Sequence, residues 1–129
     1  MNTRLGIIYC ATNKITGKVY IGQTGMDSYA KRRKEHYMYS IKKNRREWKT
    51  SFHQAIREYD WSSFEWSILY SAVPEEYIDL VESLTIIKYD SLNNGYNNHA
   101  GGRTVNVKSS QKLTEEELQE LLKKWEHKK

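Results

Sequence analysis

The sequence predicts an α/β domain, and three observations carry that reading. Leu5 to Thr12 is an apolar run of β character, followed across turn chemistry at Asn13 to Gly17 by a second extended stretch, Lys18 to Thr24. Phe64, Trp66, Ile68 and Tyr70 alternate with polar or small partners, the period of two expected for a strand with one buried face. Apolar residues at helical spacing occupy much of what lies between and after.

Taken in order, residues 1–24 read as a hairpin. Ser28 to Lys43 lacks Gly and Pro and predicts a helix with Asp27 or Ser28 as its cap. Trp48, Phe52, Ala55, Ile56 and Tyr59 form one stripe of a second helix, and Phe64 to Tyr70 supplies a third strand. Pro74 followed by Glu75 and Glu76 starts another helix, because proline loses nothing at the first helical position and acids suit the positive end of the dipole. Its core stripe reads Tyr77, Leu80, Val81, Leu84 and Ile87, ending near Asp90. Asn93-Asn94-Gly95 breaks the chain, and Gly101-Gly102 marks a boundary between a domain over residues 1–100 and a tail over 101–129. In the tail, Val105 to Lys112 reads as a linker. Thr114 with Glu117 forms a capping box that opens a short amphipathic helix carrying Leu118, Leu121, Leu122 and Trp125. That helix is too short to stand alone, so it docks on the domain, joins a partner chain or begins a longer DNA-binding segment.

Composition narrows the function classes. A chain of 129 residues with a mean hydropathy of -0.85 and 38% hydrophobic residues fits one compact domain with a modest core. No run approaches a membrane span and the N-terminus has no apolar leader, so the expectation is a cytoplasmic protein without membrane partners. Cys10 stands alone in an apolar run and reads as a buried, inert thiol. The charge is concentrated: between Lys31 and Arg57, ten Lys or Arg residues face only Glu35 and Glu47, a local +8 in a chain of net +5. Lys31, Arg33, Lys34, Lys42, Lys43, Arg45, Arg46 and Lys49, interleaved with Tyr37, Tyr39 and Trp48, have the pattern of a surface for a phosphate backbone; the alternative is a solvated helical face.

Several residues could carry chemistry. A symmetric hairpin register about Lys14 and Ile15 would pair Tyr9 directly with Tyr20, whereas a slip of one residue would separate them. Arg32 and His36, four apart, share a helical face beside the basic cluster. Glu82 lies in the row Ile78, Glu82, Ile86, where an acid between apolar neighbours either sits at the border of the stripe or needs a partner or a metal. Asn97 follows Gly95-Tyr96 in what is otherwise turn chemistry.

In their order and spacing these residues resemble the GIY-YIG nuclease family, in its phage and homing-endonuclease branch. The resemblance runs from about Leu5 to Asn97 and includes Ile7-Ile8-Tyr9, Thr12-Asn13, Gly17-Lys18, Tyr20-Ile21-Gly22, Arg32 with His36, Glu82, and Gly95-Tyr96-Asn97. Ile7 stands where the family usually has glycine, with Gly6 adjacent.

The resemblance implies a three-stranded antiparallel sheet flanked by helices and a metal-dependent DNA endonuclease working with one metal ion, Mg²⁺ or Mn²⁺, in a bacterial or phage-infected cell. By matching position, Glu82 would hold the metal and Arg32 the scissile phosphate. Tyr9, Tyr20 and His36 would surround the attacking water, Asn97 would orient a substrate or metal-bound group, and Gly22 would allow close approach of the backbone. A single carboxylate suits a hydrated Mg²⁺, and the forked guanidinium of Arg32 suits two phosphate oxygens. For the general base the family pattern favours Tyr9 and simple acidity favours His36; the reading adopted is Tyr9 with His36 as hydrogen-bond partner or proton relay. Double-stranded DNA is the expected partner, with specificity left to a homodimer or an additional DNA-binding segment. The alternative is a DNA-binding or interaction module that keeps the fold without useful activity.

Overall fold

The computed structural model describes residues 4–98 and 114–127, so the Gly101-Gly102 boundary and the Val105 to Lys112 linker lie outside the described residues. The strands are β1 (Leu5–Asn13), β2 (Val19–Gly25) and β3 (Phe64–Pro74), joined antiparallel in the order β2-β1-β3. The helices are α1 (Tyr29–Ile41), α2 (Ser51–Tyr59), α3 (Glu75–Tyr89), the single turn α4 (Ser91–Asn94) and the C-terminal α5 (Glu115–Trp125). The mixed α/β class and the three-stranded sheet are as the sequence predicts.

The hairpin turn sets the register. The Asn13 side-chain oxygen accepts from the Ile15 and Thr16 amides at 2.9 and 3.4 Å, and the Gly17 amide donates to the Asn13 carbonyl at 2.7 Å. Gly17 closes this turn at φ +80°, a conformation in which any side chain is strained. Asn13 therefore belongs to the strand and the loop is centred one residue later than the symmetric reading places it. Tyr9 faces Gly22 and Tyr20 faces Ala11, so the two tyrosines are diagonal neighbours rather than a direct pair. The displacement along the strand is two residues, which preserves the face, and their ring centroids lie 6.3 Å apart.

The sheet is covered on both sides. On one face Ile8, Cys10, Ile21 and Val73 pack with Ile78, Val81 and Ile86 of α3 and with Trp125 of α5. On the other, Ala11 and Phe64 pack with Phe52, Ala55 and Ile56 of α2 and with Tyr96. Of the three roles open to the C-terminal helix, docking is the one seen. The predicted capping box is formed, Trp125 is buried beside Tyr77, and Glu126 bridges Tyr70 at the outer edge of β3.

Three local expectations change. β3 runs on to Pro74 through a bulge that includes Ala72 at φ +55°, and its pairing with β1 shifts between Gly6 and Tyr9. The shift pairs Tyr70 with Ile8, so Tyr70 packs on the opposite face from Trp66. β1 passes through Ile7 without interruption, and Ile7 is buried. On α3 the core face is rotated from the predicted stripe: Ile78, Val81, Glu82, Thr85 and Ile86 are buried, while Ile87 is 71% exposed. Polar groups can occupy that face because they are bonded there, Thr85 donating to the Val81 carbonyl at 2.6 Å and Glu82 accepting from Gln23 at 2.9 Å.

The segment after α4 closes the free edge of β2. The Tyr96 amide donates to the Val19 carbonyl at 2.9 Å, and the Asn97 side chain both accepts from the Ile21 amide and donates to its carbonyl, at 2.9 and 2.8 Å. An amide side chain thus stands in for a fourth strand at one residue. Gly95 makes the approach feasible, since a Cβ there would lie 2.5 Å from the Val19 carbonyl oxygen and 2.7 Å from Ser91 Cα. Both obstacles are backbone. Gly95→Ala is expected to destabilise the fold by roughly 1–3 kcal/mol, the usual cost of overpacking, measured as a lowered urea midpoint.

Candidate active site

Two tyrosines on one sheet face begin the site. The Tyr9 ring lies across the strand over Gly22, where a Cβ would come within 2.4 Å of its Cζ and Oη atoms. The glycine of Tyr20-Ile21-Gly22 is therefore required by the first tyrosine, whose ring covers it. Tyr9 is fully buried, ringed by Tyr20, Tyr29, His36 and Trp66, and Tyr20 stacks in parallel on Phe52 with centroids 4.3 Å apart.

A chain of hydrogen bonds runs from the buried Tyr9 toward the partly exposed Glu47. Its hydroxyl meets His36 Nε2 at 2.7 Å, His36 Nδ1 meets His53 Nε2 at 2.9 Å, and His53 Nδ1 meets the Glu47 carbonyl at 2.9 Å. The carbonyl can only accept, which fixes every proton in the neutral chain. His53 carries its proton on Nδ1 and accepts from His36 at Nε2. His36 therefore carries its proton on Nδ1, and its Nε2 accepts from the Tyr9 hydroxyl. The chain is polarised toward removing the phenolic proton. Thr50, which caps α2 through the His53 amide, also lies 2.5 Å from His53 Nδ1.

α1 supplies His36 and Arg32 from one face. This helix has no apolar stripe; its buried residues are His36 and Ser40, as expected of a helix that packs a polar site. Burial, then the Arg32 charge and His53, lower the His36 pKa to about 2, and burial first lowers that of His53 to about 4. Tyr9 is pushed well above the ordinary phenol by burial and by Tyr20, against the pull of Arg32. Burial opposes the charge on Arg32, but interaction with Tyr9 and Tyr20 outweighs it and holds the guanidinium firmly protonated. Arg32 also donates to Glu35 at 3.4 Å.

Glu82 arrives from the other side of the sheet. It borders two cavities, one of about 320 Å³ shared with Tyr20, Arg32 and His36, and one of about 640 Å³ shared with Gln23, Glu75 and Asp79. Among the described residues no three His, Cys, Asp or Glu side chains are grouped as a ready-made metal cage. One hard carboxylate at the wall of a polar cavity does fit a divalent cation that keeps most of its water, as Mg²⁺ does.

The structure thus brings Tyr9, Tyr20, Arg32, His36 and Glu82 together. Asn97 lines the same cavity, but both ends of its amide are bonded to Ile21, so it works on the β2 edge. Arg33 lies over the Tyr29 ring, Arg45 lies over Tyr39 and pairs with Glu47, and Lys31, Lys34, Lys42, Lys43, Arg46 and Lys49 are exposed. His53 is the site residue missed in the sequence. Its signal was the Thr50 to His53 cap spacing beside Phe52, which places the imidazole on the buried side of α2.

No protein-family model and no curated protein matches the chain. Two solved structures do: a mutant of the catalytic domain of intron endonuclease I-TevI, at TM-score 0.63 and 24% identity over 76% of this chain and 97% of that one, and the catalytic domain of homing endonuclease I-TevI, at TM-score 0.59 and 26% identity over 71% and 96%. The chain has the fold of a GIY-YIG nuclease catalytic domain. In this GIY-YIG fold the two named strings are β1 and β2, and the buried polar chain hangs from the first of them.

Both histidines have folded-state pKa values below the unfolded value of about 6.5, so the unfolded chain binds the extra protons and stability falls as pH drops below 6.5. Between 6.5 and about 4 both contribute, and below 4 only His36 does. The expected loss is up to about 2.7 kcal/mol per pH unit in the upper window. Urea midpoints from pH 7 to 4.5 should show it, and His53→Gln should flatten the slope by about half.

Proposed function

We propose that the protein is a metal-dependent DNA endonuclease that hydrolyses phosphodiester bonds. The observation that carries this reading is the polarised chain from Glu47 through His53 and His36 to Tyr9, whose phenol interacts with Arg32 and feels the charge of Glu82. The shared fold with the catalytic domain of I-TevI, an intron and homing endonuclease, supports a nuclease and makes DNA the natural substrate. The exposed lysines and arginines between Lys31 and Lys49 supply a counter-charge for the duplex backbone.

Arg32 takes the scissile phosphate, its forked donors spanning two oxygens. Tyr9 is fully buried in the resting site and interacts there with Arg32, so its oxygen meets water only as Arg32 turns to the phosphate. That water then loses a proton to the phenolic oxygen as the phenol gives its own to His36 Nε2. The water oxygen bonds to phosphorus and the bond to the leaving oxygen breaks. His36 itself cannot take the water's proton directly, because both its ring nitrogens are engaged. The low pKa of His36 opposes the transfer in the resting site; the phosphate, by neutralising Arg32, removes one of its causes. Glu82 would hold a hydrated Mg²⁺ or Mn²⁺, which supplies charge to the phosphate and leaving oxygens when bound.

Supercoiled plasmid incubated with protein and Mg²⁺ tests this. Cleavage should be lost in Tyr9→Phe and Glu82→Ala, with duplex binding by Glu82→Ala largely kept. Arg32→Ala should lose about 10²–10³-fold in rate, the cost of one preorganised donor. A fully active Tyr9→Phe would overturn the assignment of the base, and cleavage surviving in Glu82→Ala would overturn the site.

A further inference from the structure

The cavity of about 640 Å³ on the far side of Glu82 contains an arrangement that the cleavage steps above do not use. Gln23 follows Gly22 on β2, so its side chain leaves the sheet on the face opposite the Tyr9 ring, toward α3. There its single amide nitrogen donates to two carboxylates, Asp79 Oδ1 at 2.8 Å and Glu82 Oε1 at 2.9 Å. Both partners are acceptors, so the end of the amide that faces them is the nitrogen, and its two N–H groups are divided between them. Asp79 and Glu82 are three apart on α3 and project side by side. Without a donor between them the two carboxylates would repel.

We infer that Gln23 is a positioning residue for Glu82, with Asp79 as its anchor: the amide pins one carboxylate oxygen of Glu82 and so sets the direction in which that group meets a cation. The inference rests on the proposed role of Glu82. The residue type is specific to the task. An amide presents two donors at a fixed angle and no charge, whereas glutamate at the same place would add a third anion and lysine would place a competing cation where the metal binds. Outer partners of this kind orient metal-binding carboxylates, and their loss typically lowers metal affinity about 10–100-fold.

The test measures metal and cleavage separately, on the full chain. Mn²⁺ alone is titrated without DNA by calorimetry or electron paramagnetic resonance, and the Mg²⁺ concentration for half-maximal plasmid cleavage is read beside the maximal rate. Gln23→Ala is expected to weaken Mn²⁺ binding and raise the half-maximal Mg²⁺ concentration by about tenfold or more, with a smaller change in the rate at saturating metal. Asp79→Asn still offers a carbonyl acceptor to the Gln23 amide, so it should stay within about threefold of wild type. Circular dichroism melts establish that each variant is folded. A folded Gln23→Ala with unchanged Mn²⁺ affinity and unchanged Mg²⁺ dependence overturns the inference, as does an Asp79→Asn loss equal to that of Gln23→Ala, which would make Asp79 a plain charge. Glu82→Ala separates the two levels: loss of metal binding there with Gln23→Ala intact leaves the site standing without the clamp, whereas cleavage that survives Glu82→Ala removes both.

Discussion

The Tyr9 ring lying across Gly22 is the contact on which the rest of the site depends. Because the ring occupies the space of a missing side chain, it crosses β2 and still lies flat enough for His36 and Trp66 to pack over it. A residue with a Cβ at Gly22 would lift the phenol and break the hydrogen bond to His36. The opposition of Tyr9 and Gly22 in turn depends on the register, which Asn13 and Gly17 fix at the turn. A local turn preference thus decides whether a chemical group lies in place some four residues away along each strand.

Burial of the polar chain is affordable only because it is complete. His36 and His53 are within a few per cent of full burial, and each ring nitrogen has a partner. A buried imidazole with one nitrogen unmatched would cost about 1–3 kcal/mol, so the Glu47 carbonyl at the end of the chain matters as much as the tyrosine at its head. The same closure holds both rings neutral. That neutrality is what leaves His36 Nε2 with a lone pair aimed at the phenol.

Much of this was legible in the sequence, for identifiable reasons. The strands and the helix capped at Thr114 follow from turn residues, caps and spacing, which act locally, whereas the gathering of Tyr9, Tyr20, Arg32, His36 and Glu82 was implied by the family resemblance alone. The details that were not legible depend on packing between distant segments. The register shift at Leu69, between the Tyr9–Ile68 and Ile8–Tyr70 pairs, turns Tyr70 to the other face, and the α3 stripe rotates because Glu82 and Thr85 find hydrogen bonds that a count of apolar residues cannot register. His53 and Gln23 escaped notice for the same cause. Each acts through a partner seventeen or more residues away, His36 for one and Asp79 with Glu82 for the other.

β2 ties these parts together because its successive residues serve different sides. Tyr20 turns its ring to the face that holds His36 and Phe52, Ile21 joins the opposite core and offers its backbone to Asn97, and Gly22 lies under Tyr9. Gln23 then reaches α3 and Glu82. Four consecutive residues therefore connect the phenol face, the edge closure and the acidic face of one site. An arginine and a carboxylate carried on helices against opposite faces of the sheet can meet only round an edge, and β2 is the edge they meet round. The Asn97 amide satisfies Ile21 with a side chain, and among the described residues no additional strand covers the opening through which Glu82 shares a cavity with Arg32. A fourth strand would satisfy the same backbone groups and close the site.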